Sequence, residues 1–66
     1  MNVNKLKGLM VEKEKNADVL STILGMNRAT FYRKLSNPEE FTVGDVMHLK
    51  DALEMTDAQA VEIFLS

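Results

Sequence analysis

Gly25-Met26-Asn27 constrains this chain more than any other feature, because it leaves only three residues between two segments of helical periodicity. Glycine reaches positive φ without a Cβ penalty, so it can close one helix and redirect the chain at once. Asn27 then offers a side-chain oxygen to the first turn of the next helix. Upstream, Asn16 reads as an N-cap with Asp18 in the first turn, and Val19, Leu20, Ile23 and Leu24 predict an inward-facing stripe. Downstream, a short helix is predicted from Arg28 to about Leu35, ended by Ser36-Asn37-Pro38. At about 100° per residue, Phe31 and Leu35 fall about 40° apart and form a narrow buried stripe. Ala29 and Arg33 lie opposite it with Thr30 beside them, Arg28 projects from the first turn, and Tyr32 and Lys34 take the two flanks.

The remaining segments also carry helix signals. Val3, Leu6, Leu9 and Met10 predict an amphipathic helix from about Val3 to Glu14, capped by Asn2 or Asn4, with Gly8 where another helix approaches closely. Thr42, with Asp45 three residues on, starts a fourth helix whose apolar side is Val43, Val46, Met47, Leu49 and Leu53. Thr56-Asp57-Ala58-Gln59 fits a capping box and opens a fifth, which runs on through the chain's last residues. No stretch alternates with period two for long enough to predict a strand. The expectation is an all-α, compact five-helix fold: one domain over residues 1–66 with a helix-turn-helix unit at about 16–35, its two helices crossing at the small residue Ser21.

Composition narrows the function. Without cysteine there is no disulfide or thiolate metal site, and one histidine, His48, does not make an imidazole zinc site. No Cys/His pair, phosphate-cradling glycine loop or carboxylate pair in an evident cleft points to an enzyme, and no cofactor or small-molecule substrate is expected. No signal-peptide h-region or membrane-length apolar run is present, which predicts a cytoplasmic protein. The net charge of −2 averages two unlike halves. Met1 to Pro38 holds seven basic and three acidic residues, while Glu39 to Ser66 holds one basic and seven acidic. From Met26 to Pro38 there are three positive charges and no negative one, and a polyanion responds to the local field within about 8–10 Å rather than to the total.

The segments Asn16 to Asn27 and Arg28-Ala29-Thr30-Phe31-Tyr32-Arg33-Lys34-Leu35 resemble the second helix, turn and recognition helix of the phage repressor and Cro-type (Xre-like) helix-turn-helix family. Phe41-Thr42 and Glu62-Ile63-Phe64-Leu65 are similar to small regulators of phage and mobile-element origin. The resemblance covers nearly the whole chain, and the docking geometry it brings is one for which members of that family are the worked examples. It implies a lambda-repressor-like fold and a sequence-specific transcriptional regulator that inserts helix 28–35 into the major groove of double-stranded DNA. It implies base contacts from Arg28, Ala29, Tyr32 and Arg33, and phosphate contacts from Asn16, Asn27, Lys34 and Asn37. Two positions depart from the family: Ala17 stands where glutamine is usual, and Ser21 where alanine is usual. The alternative is a protein-interaction module of the same fold, such as an antirepressor or assembly partner, offering Tyr32, Phe41 or the last apolar residues. Ile63, Phe64 and Leu65 cover more than one face of a helix, which predicts a homodimer through the fifth helix.

Overall fold

The computed structural model describes all residues, 1–66, and contains five α-helices and no strand. They are α1 (Val3–Glu12), α2 (Ala17–Leu24), α3 (Arg28–Ser36), α4 (Val43–Ala52) and α5 (Asp57–Phe64), with one 3-10 turn, Pro38–Glu40, after α3. Every helix starts the same way. A side-chain oxygen of Asn2, Asn16, Asn27, Thr42 or Thr56 accepts the backbone N–H three residues on, satisfying a donor that the helix leaves without a partner. At Thr42 and Thr56 the bond is reciprocated by Asp45 and Gln59, completing two capping boxes.

Three helix ends also share a mechanism. The N–H groups of Lys15, Met26 and Met55 donate to the carbonyls of Met10, Ser21 and Lys50 at 2.9, 2.9 and 3.0 Å, the long bond of a Schellman motif. Each loop needs one left-handed residue. Gly25 fills the place at φ 72° after α2, whereas Glu14 and Glu54 fill it after α1 and α4 at φ 56° and 51°. For this reason α1 stops at Glu12 rather than continuing to Glu14 as the periodicity predicts.

All five helices, with Met55 from the α4–α5 connection, contribute to one core: Leu6, Leu9, Ala17, Leu20, Phe31, Leu35, Leu49, Leu53, Met55 and Ile63. Phe31 lies at its centre, fully buried, and each large apolar side chain so removed from water contributes about 1.5–3 kcal/mol. Of the predicted α2 stripe, Leu20 is buried and Leu24 half-buried, but Val19 and Ile23 are 42% and 43% exposed, and Ala17 and Ser21 complete the buried side in their place. Positions 17, 20, 21 and 24 follow the same 3.6-residue period one step round the helix. In α4 the correction is similar: Leu49 and Leu53 are buried, but Val43 and Met47 face solvent. Gly8 sits in open space, with nothing within 4 Å of where a Cβ would be, so no helix approaches it closely.

The fifth helix closes the bundle against the first. Asn2 N–H donates to the Ile63 carbonyl at 2.6 Å, and Lys5 pairs with Glu62 at 2.9 Å. Ile63, expected at a dimer surface, is instead buried by its own chain at 3% exposure, because α1 covers that side of α5. Phe64 packs partly against the core, and of the three only Leu65 is well exposed.

Candidate nucleic-acid interface

The helix-turn-helix unit is built by close packing of α2 and α3, the most extensively contacting pair of helices in the molecule. Ser21 is buried at 4% exposure, as its small side chain allows, and its hydroxyl donates to the Asp18 carbonyl at 3.0 Å. Ala17 is buried at 5% in the core, so this position offers no polar side chain to a ligand. Beneath α3, Phe31 and Leu35 are buried as the periodicity predicts, and Phe41 meets Phe31 edge to face at 6.2 Å. That contact fastens the Pro38–Glu40 turn to the underside of α3.

Arg28, Ala29, Tyr32 and Arg33 are all exposed, together with Ser36 and Asn37. They form the outward side of α3. Neither arginine is free, however. Arg28 Nη1 lies 3.1 Å from Asp18 Oδ1, and Arg33 Nε lies 3.1 Å from Glu40 Oε1. Both pairs are open to water, which limits an ion pair to about 0–1 kcal/mol, so each arginine is restrained but releasable.

The flanks of α3 differ. Lys34, expected to reach phosphate, turns instead toward α4 and donates to Asp45 Oδ2 at 2.7 Å, with only 14% and 11% of the two side chains exposed. Asp45 Oδ2 also accepts the Thr42 backbone N–H at 3.1 Å, so one carboxylate joins α3 to the cap of α4. Burial would raise the Asp45 carboxyl, but the hydrogen bond from Lys34, that from the Thr42 backbone and the Lys34 charge together hold it below the ordinary aspartate value. On the other flank Tyr32, 51% exposed, forms one wall of a groove of about 370 Å³, lined also by Met10, Val11, Ala17 and Leu35 and rimmed by Lys7 and Lys15.

The three asparagines expected at phosphate have structural work. Asn16 and Asn27 accept the N–H groups of Val19 and Thr30 at 3.0 and 2.7 Å, and Asn37 donates through Nδ2 to the Arg33 carbonyl at 3.2 Å. All three are exposed, and the amide nitrogens of Asn16 and Asn27 have no partner within the chain. Of the eight lysines and arginines, Lys7, Lys13 and Lys15 alone form no ion pair. Lys7 lies within α1 and Lys13 and Lys15 just beyond it; Lys7 and Lys15, with Glu14, border the Tyr32 groove.

Sequence reasoning missed the carboxylates of Asp18, Glu40 and Asp45 as partners for α3. Their separations from Arg28, Arg33 and Lys34 are ten, seven and eleven residues. No three- or four-residue helical spacing signals such pairs; they exist because the turn and the helix crossing bring the elements together. Comparison with protein-family models, curated proteins and solved structures finds no match to this chain.

Proposed function

We propose that this chain is a sequence-specific DNA-binding regulator of transcription, with α3 entering the major groove of duplex DNA in the manner of the phage repressor and Cro-type domains it resembles. The observation that carries this reading is the outward side of α3: Arg28, Ala29, Tyr32 and Arg33 stand exposed on a short helix held from beneath by the fully buried Phe31. Arginine reads guanine O6 and N7 through paired hydrogen bonds, alanine leaves room for a thymine methyl, and tyrosine hydrogen-bonds at the groove wall. The unpaired Lys7 and Lys15, which border the Tyr32 groove, add positive potential beside α3.

Selection from random duplex DNA at two salt concentrations tests the proposal. An enriched sequence whose affinity falls steeply as salt rises is expected; no enrichment, and no binding even at low salt, would contradict it. A homodimer is part of the reading, with Val61 of α5 and Leu65 at its C-cap, four residues apart and 55% and 79% exposed, as the residues a second copy would cover. Sedimentation with and without the selected duplex checks it, and monomer alone in both cases would remove it.

A protein-interaction module is the second reading, favoured by the apolar Tyr32 groove and by the carboxylates paired with both outward arginines. Binding of that kind changes little with salt, which separates the two.

A further inference from the structure

The two outward arginines are held through different atoms. A guanidinium reads guanine end-on when both terminal nitrogens are free to donate together. Arg28 spends one of them: its Nη1 lies 3.1 and 3.3 Å from the two carboxylate oxygens of Asp18. Arg33 instead donates through Nε to Glu40 at 3.1 Å, which leaves Nη1 and Nη2 without a partner in the chain. The backbone that carries Glu40 is itself fixed. The Glu40 N–H donates to the Asn37 carbonyl at 2.9 Å, the next residue's N–H donates to Pro38 at 3.1 Å, and Phe41 is pinned on Phe31.

From this we infer that Glu40 is a positioning residue for Arg33, that Arg33 is the principal base-reading side chain of α3, and that Asp18 holds Arg28 in reserve; the inference rests on the DNA-binding reading above. A side chain already held in its binding geometry loses less freedom on association, so the Nε bond favours end-on contact by Arg33. The Glu40 carboxylate also repels phosphate, so it opposes capture of Arg33 by the DNA backbone, where any sequence would serve. Asp18 acts on Arg28 in a simpler way. Its carboxylate must be displaced before Arg28 can present both terminal nitrogens, to base or to phosphate.

The test compares wild type, Arg33→Ala, Glu40→Ala, Glu40→Gln and Asp18→Asn on the selected duplex, on its single-base variants and on an unrelated duplex. The base pair at which Arg33→Ala loses discrimination marks the Arg33 position. Glu40→Ala is expected to lose about two- to fivefold in discrimination at that base pair and to bind the unrelated duplex two- to fivefold more tightly. Glu40→Gln keeps an acceptor oxygen for Nε and restores the discrimination, which a merely electrostatic role would not. Asp18→Asn should tighten binding to every duplex and leave the Arg33 position as selective as before. Wild-type discrimination by Glu40→Ala, or no position at which Arg33→Ala matters, would overturn the inference while leaving DNA binding standing. Failure of the wild type to prefer any duplex would overturn the DNA reading and this inference together.

Discussion

On the inner flank of α3, Lys34 meets Asp45 at 2.7 Å with both side chains nearly out of solvent. On the outer side, Arg28 meets Asp18 and Arg33 meets Glu40 at 3.1 Å, with 40–63% of each side chain exposed. The distances differ by a few tenths of an ångström, yet the consequences diverge. Water and salt screen the outer pairs, so breaking them costs little; an inner charge left without its partner has no such relief. The same helix therefore spends one cation on the fold and keeps two available at the surface.

Removing the inner cation gives the largest expected effect. Lys34→Ala strands Asp45 beside the cap of α4 and should cost about 2–3 kcal/mol, which lowers the melting temperature of a domain this size by about 10–20 °C. A melt unchanged within a few degrees would erase the distinction between the two sides. Arg33→Ala comes next and moves a different quantity. It should weaken binding to the selected duplex by about 1–3 kcal/mol while leaving stability within about 0.5 kcal/mol, as paired melting and binding isotherms would show.

Acid sharpens the contrast. The Asp45 carboxyl lies below its ordinary value when folded, so its contribution is fully present above the unfolded aspartate pKa of about 3.9 and is lost as pH falls through the lower, folded value. Unfolding midpoints measured downward from pH 5 should therefore fall, and Asp45→Asn should flatten that fall. Asp57 is also held below the ordinary value, by the hydrogen bond and charge of Lys50, but its side chain is 94% exposed, so Asp57→Asn should flatten the fall less. Equal flattening by both variants would show that burial does not set the difference. The smallest effect belongs to the outer side: Asp18→Asn should move the melting temperature by no more than a few degrees.

Much of this arrangement is legible before folding is considered. Asn16, Asn27, Thr42 and Thr56 announce four helix starts, because a side-chain oxygen at that position satisfies a donor whatever else surrounds it. Gly25 announces the turn, and Phe31 with Leu35 announces the buried side of α3. Glu14 and Glu54 announce nothing, since glutamate in a left-handed loop looks locally like a helix former, and the end of α1 is misplaced in consequence. Apolar residues mislead where the periodic set has two solutions: Val19 and Ile23 are alternatives to Ala17 and Ser21, and the small pair is chosen because α3 must approach closely. The pairings of Arg28, Arg33 and Lys34 were invisible for a different reason. Each depends on where separate elements meet, and an acidic loop residue such as Glu40 carries no mark of the helix it will face.

Whether the outward side of α3 meets duplex DNA, as proposed, is decided by backbone NMR of the labelled protein titrated with the selected duplex. The largest shifts are expected at Arg28, Ala29, Tyr32, Arg33 and the Pro38–Glu40 turn, with smaller changes at the fully buried Leu49 and Leu53. Shifts centred on α4 and α5, with α3 unmoved, would contradict the proposal.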